Sequence, residues 1–216
     1  HGLHFTDAKR GWAVAQDGGV IHTTNSGETW ELQQTGTHND LLAVYSSDSK
    51  DVWAVGTYGT ILHSTDGGNN WKIESESTSE PLAGLDISPT GSVYAVGRRG
   101  AIYRTQDSGK TWEKQESGLV AGLNKVFTVD DKEAWAIGDS GYILHTEDGE
   151  KWSVQKGYDW IGLHDVQFLN RKSGWAVGEM GGIFHTNDGG KNWTQQRGYI
   201  FESLRALCFV SSKEGW

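Results

Sequence analysis

Apolar residues in this chain come in runs of four to seven, each bounded by Gly, Asn, Asp, Ser or Thr, and the runs lack the three-to-four-residue spacing of an amphipathic helix. Residues 41–75 show the pattern: "LLAVYSS", "VWAVG", "TILHST" and "WKIES" predict four strands, with corners at Thr57-Tyr58-Gly59 and Asp66-Gly67-Gly68. Alternation in the second run puts Trp53 and Val55 on one face and Ala54 on the other. The third run carries adjacent apolar pairs, Ile61-Leu62, Ile102-Tyr103, Ile143-Leu144 and Ile183-Phe184, as a strand covered on both faces should. No helix is predicted, because glycine recurs too often and Val, Ile, Trp and Thr favour pleated strands.

The pattern repeats. Trp12, Trp53, Tyr94, Trp135, Trp175 and Trp216 follow one another at intervals of 41, 41, 41, 40 and 41, and Trp30, Trp71, Trp112, Trp152 and Trp193 trail them by 17 or 18. Of the 11 tryptophans only Trp160 stands outside both series. Four strands in such a unit match a β-propeller blade. The expectation is an all-β fold, one propeller domain over 1–216 built of four-stranded antiparallel blades, with units at 1–38, 39–79, 80–121, 122–161 and 162–202 and the start of a sixth at 203–216. Ala13, Ala54, Ala95, Ala136 and Ala176 mark where the neighbouring sheet comes closest. "HGLHFTDAKRGW" aligns with "RALCFVSSKEGW", and in a five-fold ring both would compete for one innermost strand slot. Five complete blades plus part of a sixth, cut from a six- or seven-bladed ring, is therefore expected.

The corner after the third strand reads "TTNSGETW", "STDGGNNW", "TQDSGKTW", "TEDGEKW" and "TNDGGKNW". Asn25, Asp66, Asp107, Asp148 and Asp188 can accept backbone N–H bonds there, the Ser or Thr hydroxyl can do likewise, and glycine takes positive φ. These are structural turn-formers, self-contained and needing no ligand. Ser/Thr-x-Asp-x-Gly-x-x-Trp is the Asp-box, or BNR, signature, and "GWAVG" followed by "xxGxIxHTxDGGxxW" resembles the photosystem II assembly and stability factor family and its bacterial relatives. The resemblance covers essentially the whole chain, with two departures: Asn25 replaces Asp, and the fourth box, Thr146 to Trp152, is one residue short. It implies a propeller, usually of seven blades, acting as a non-enzymatic binding or assembly protein in a periplasmic, thylakoid-lumenal or extracellular setting. The family's arginine-rich patch is not carried over onto particular residues.

Charge narrows the partners. With 19 basic and 28 acidic residues the net charge is −9, which repels phosphate backbones and anionic membrane surfaces, so nucleic acid is not expected. The absence of any apolar run of about 18 residues argues against membrane insertion. Cys208 is the single cysteine, which excludes an internal disulfide and a multi-thiolate metal site; a small buried residue is expected there. His22, His63, His145 and His185 share one repeat position, with Arg104 in the gap, but stacked sheets lie about 10 Å apart and one zinc ion cannot bridge them. No metal or cofactor is expected. Nor is a catalytic residue nominated, since sialidases need converging arginines and xyloglucanases two carboxylates across a cleft. A glycoside hydrolase or carbohydrate-binding propeller is the alternative.

The end opposite the Asp-boxes is where the repeat breaks down. Its turns are Gln16-Asp17, Thr57-Tyr58, Arg98-Arg99, Asp139-Ser140 and Glu179-Met180, and its connections include "ESTSEPLAG", "ESGLVAG", "KGYDWIG" and "RGYIFES". Variation on a regular scaffold points to recognition. Tyr158, Trp160, Tyr199 and Phe201, with Arg197, have the composition of an interface centre. Arg98, Arg99, Arg197 and Arg205 could receive a carboxylate-rich segment or a peptide C-terminus. A protein or peptide partner is expected, together with self-association through open blade edges.

Overall fold

A computed structural model describes residues 1–76, 79–157, 160–196 and 200–216. Five sheets of four antiparallel strands follow one another, each with its strands in chain order. Blade 1 is Gly2–Phe5, Gly11–Val14, Val20–Thr23 and Glu31–Gln33; blade 2 is Leu41–Ser46, Val52–Gly56, Thr60–Ser64 and Lys72–Glu76. Blade 3 is Leu82–Ile87, Val93–Gly97, Ile102–Thr105 and Glu113–Gln115; blade 4 is Leu123–Thr128, Ala134–Gly138, Ile143–Thr146 and Ser153–Lys156. Blade 5 is Leu163–Phe168, Gly174–Gly178, Ile183–Thr186 and Thr194–Gln196, followed by a hairpin, Phe209–Ser211 and Glu214–Gly215. First strands of successive blades touch one another, so they gather at the hub and the fourth strands lie outermost. The architecture is the expected propeller. Among the described residues no helix is long and apolar enough to cross a membrane.

The core is a set of layers between blades. Trp53 and Val55 point forward to Leu82 and Leu85 of blade 3, while Val52 and Ala54 point back to Trp12, Val14 and Val20 of blade 1. The large aromatic of one blade meets the small residue of the next: Trp12 shares a layer with Ala54, Trp53 with Ala95, Tyr94 with Ala136 and Trp135 with Ala176. All four rings are at most 1% exposed. Each removes roughly 200 Å² from water, about 5 kcal/mol before the entropy of ordering. Anything larger than alanine opposite the ring would push the blades apart.

The back of blade 1 is bare. Leu3 is 62% exposed, whereas its repeat equivalents Val44, Leu85, Val126 and Val166 are at most 7% exposed beneath the blade before them. Phe5 is also exposed, while its counterparts Phe168 and Phe209 stack on Trp135 and Trp175 at 3.8 and 4.1 Å between centroids. The sixth unit sits on blade 5: the Leu207 N–H donates to Asp165 Oδ2, and Phe209 exchanges hydrogen bonds with the Gln167 amide. Residues 1–5 and 204–211 thus occupy separate places and do not compete. Cys208 corrects an expectation, for it is exposed: its position faces away from blade 5, and no described sheet covers that side.

Candidate functional site

One end of the propeller carries the Asp-boxes. In blade 2 the Ser64 hydroxyl donates to Asp66 Oδ1 and accepts the Gly68 N–H, while Asp66 accepts the Asn70 N–H and side-chain amide. Blades 3 and 5 repeat this through Asp107 with Thr111 and Asp188 with Asn192. Asn25 does the same work, with one reversal: its amide donates to Thr29 Oγ1, where Asp107 accepts from Thr111. In the short fourth box Asp148 Oδ1 collects the N–H groups of Glu150 and Lys151. These donors hold the carboxyls below the usual range, Asp107 down to about 2 through the Thr111 N–H first and its hydroxyl second. Carboxylates so engaged hold the backbone of their own corners.

The boxes also clamp neighbouring blades, which sequence reasoning missed. The Trp12 indole and Gln33 amide donate to the Gly67 carbonyl at 3.2 and 3.0 Å, Gln115 and Arg104 donate to that of Gly149, and Gln155 to that of Gly189. Gln33, Gln115 and Gln155 occupy one repeat position, so the signal was present. The histidines of the third strand stack on the indole of their own blade: His22 on Trp12, His63 on Trp53, His145 on Trp135 and His185 on Trp175, at 3.7–4.5 Å. Burial lowers the pKa of His22, His145 and His185, favouring the neutral ring. Blade 3 changes both partners together, setting the Arg104 guanidinium 5.2 Å from the Tyr94 ring centroid. A cleft of about 760 Å³ between the boxes of blades 4 and 5 is lined by charged groups, but Arg171 spans Glu133 and Asp130, and Asp148 and Asp188 are held in their corners.

The opposite end is built from the turns between second and third strands and from the blade connections. Each turn has the same backbone: in blade 2 the Thr60 N–H donates to the Thr57 carbonyl, with Tyr58 at φ 56° and Gly59 at φ 65°. Two successive positive φ values make a type I′ turn, whose twist suits a tight hairpin. Two clefts open here and share Pro81. One, of about 510 Å³, is lined by Leu42, Pro81, Ala83 and Val120 together with Arg98, Arg99 and Asp139. The other, of about 390 Å³, is lined by His38, Asp40, Thr57 and Tyr58. Arg99 is 75% exposed and only 3.7 Å from Glu80, and Val120 is 89% exposed.

Of the sequence-predicted residues, Arg98 and Arg99 come together in one cleft. Trp160 and Phe201 are 82% and 88% exposed. Their connections are tied to the blade 5 turn, through Gly162 N–H to Glu179 Oε2 and Gly181 N–H to the Glu202 carbonyl, so they flank Met180. Arg205 is exposed beside Leu204, which donates to the Gly178 carbonyl. Tyr158, Arg197 and Tyr199 lie outside the described residues. Pro81 and Val120, which the sequence reading did not single out, complete the arginine cleft. Pro81 is one of only two prolines and sits in the least regular connection, a signal that could have found it.

The profile of the family Photosynthesis system II assembly factor YCF48 matches residues 1–126 and 85–157. Among solved structures, YCF48 bound to D1 peptide is similar with a TM-score of 0.67 and 18% identity, over 99% of this chain and 86% of that one. YCF48 from Cyanidioschyzon merolae is similar with a TM-score of 0.61 and 17% identity, over 99% and 90%. An ancestral GH74 enzyme superposes with a TM-score of 0.76 and 16% identity over 95% of this chain, which spans 32% of that enzyme. At such identities the likeness is one of fold. No curated protein sequence matches the chain. With the family profile covering well over half of its residues, the protein belongs to the YCF48 family of photosynthesis system II assembly factors.

Proposed function

We propose that this propeller is a non-catalytic assembly-type factor that holds an extended, carboxylate-bearing peptide segment of a partner protein across the turn-bearing end of blades 2 to 4. One observation carries the reading: in a chain of net charge −9, Arg98 and Arg99 stand exposed on a cleft whose apolar lining is Leu42, Pro81, Ala83 and Val120, with Asp139 as an acidic neighbour. Guanidinium groups pair with carboxylates through two N–H bonds, and the apolar lining accepts the intervening side chains. A fold relative with a bound peptide supports this choice of ligand. The absence of a catalytic role is supported by the carboxylates of raised pKa: Asp86 and Asp165 are packed into the hub and accept backbone N–H groups from the next blade or the sixth unit.

The test is titration of a labelled acidic hexapeptide with a free C-terminus. Arg98→Ala or Arg99→Ala weakens binding about 10- to 100-fold, as expected for loss of a charge-assisted pair, at unchanged melting temperature. Binding that is indifferent to both substitutions overturns the proposal. A carbohydrate ligand is the second reading, favoured by the exposed rings of Trp160 and Phe201, and titration with xyloglucan oligosaccharides tests it. A second copy is a further partner, supported by the bare Leu3, Phe5, Ile21 and Leu32 of blade 1; sedimentation that stays monomeric at high concentration removes it. Family membership supports a setting outside the cytoplasm, which cell fractionation checks.

A further inference from the structure

The five type I′ turns place Asp17, Tyr58, Arg99, Ser140 and Met180 at one left-handed position, with φ between 52° and 57°. Asn, Asp or Gly suits that position; Tyr, with a bulky ring on its Cβ, does not. The fold offers Tyr58 no compensation. It is 62% exposed, belongs to no core layer, and its hydroxyl makes no hydrogen bond among the described residues. It does line one cleft, and Pro81 stands between that cleft and the one carrying Arg98 and Arg99. A disfavoured residue displayed at the mouth of a cleft points to selection for what it touches.

We infer that Tyr58 reads the ligand: it packs on an apolar or aromatic side chain of the bound peptide, three to four residues from the carboxylate held by Arg98 and Arg99. The inference rests on the peptide reading proposed above. The spacing follows from the fold. Tyr58 and Arg99 hold the same repeat position on neighbouring blades, sheets pack about 10 Å apart, and an extended chain advances about 3.3 Å per residue. Direction follows from charge. The Tyr58 cleft carries Asp40 and no lysine or arginine, whereas the other sets Arg98 and Arg99 against Asp139 and Glu80, so an acidic ligand group is favoured at the arginine end over the Tyr58 end.

The probes are acetyl-Phe-Ser-Ser-Glu-Glu with a free C-terminus and its analogue with Ala for Phe, titrated against the full chain. Wild type binds the Phe probe at least about tenfold more tightly than the Ala probe. Tyr58→Gly binds both at the level of the Ala probe, and its melting temperature equals or exceeds that of wild type because glycine accepts positive φ without strain. A retained preference in Tyr58→Gly, no preference in wild type, or a lower melting temperature in the variant overturns the inference. The Ala probe separates the two proposals. If it binds wild type and is lost on Arg98→Ala while Phe adds nothing, the peptide site stands and the role of Tyr58 falls; if neither probe binds, both fall.

Discussion

The indole nitrogen of Trp12 donates to the carbonyl of Gly67, which lies in the corner of the following blade. Gln33 donates to the same carbonyl, so a motif known for forming a turn also locks one sheet to the next. Gly68 sits beside this lock at φ 89°, and a Cβ there would fall 2.0 Å from Gln33 Oε1. Gly68→Ala is expected to cost about 1–3 kcal/mol, from strain at positive φ plus displacement of the Gln33 amide, measured by urea unfolding.

Tyr94 and Arg104 replace the Trp and His of the other blades as a pair. Arg104 is buried and donates to the carbonyls of Asp131 and Gly149, and the Tyr94 hydroxyl donates to Asp131 as well. Arg104→His alone removes one donor from each of two carbonyls, which keep Gln115 and Tyr94 as partners, and lowers stability by about 1–2 kcal/mol. Tyr94→Trp combined with Arg104→His rebuilds the stack of the other blades. The double variant should be at least about 1 kcal/mol more stable than the two single losses predict, as a double-mutant cycle would show.

Asp86 sets a pH dependence. It accepts the Thr128 N–H at 2.7 Å and the Thr128 hydroxyl at 2.9 Å, and it also bonds the Tyr45 hydroxyl. Burial nevertheless pushes it up to about 6, against these donors and the charge of Lys125. A folded-state value above the ordinary 3.8 means that protonation favours the fold: this contribution is full below pH 3.8 and is lost as pH rises through about 6. Its size is about 3 kcal/mol. Denaturation midpoints should rise on acidification from about pH 7 to about pH 4.5, and Asp86→Asn should flatten that rise.

The boxes respond with the opposite sign. Asp107 is held down to about 2, so its contribution is present above pH 3.8 and disappears as pH falls through 2. Asp107→Asn should be tolerated at neutral pH, because Asn25 already supports its corner by donating to Thr29, and Thr111 offers the same hydroxyl. The variant should lose less stability than wild type on strong acidification. Asp107→Ala, which frees the Thr111 N–H, should lower the melting temperature at every pH.

Two tryptophans should respond very differently to truncation. Trp135 is fully buried against Phe168, and Trp135→Ala should cost about 3–5 kcal/mol. Trp160, 82% exposed, should change stability by less than about 0.5 kcal/mol when replaced by Ala. Calorimetry on the two variants checks both values.

Much of the fold was legible because a propeller writes one sentence per blade. The 41-residue return of Trp12, Trp53 and Tyr94 exposes the period, and alternation in "VWAVG" assigns Trp53 forward and Ala54 back before any coordinate is known. The candidate site was legible in part. Arg98 and Arg99 stand out as irregular residues on a regular turn, whereas Val120 looks like any connection residue until the arginines are seen beside it. Cys208 was misjudged because a position's burial depends on the blade that covers it, which its own unit does not encode.

What the sequence determined by itself was local and periodic: strands, corners, and the facing of each ring, all set by chemistry within one unit. Tertiary structure alone decided what meets across units. The capture of the Gly67 carbonyl by Trp12, the burial of Asp86 against Thr128, and the placing of Pro81 beside Val120 in one cleft each pair residues about one repeat or more apart. Those pairings depend on how sheets stack around the hub, a spacing and rotation that belongs to no single blade.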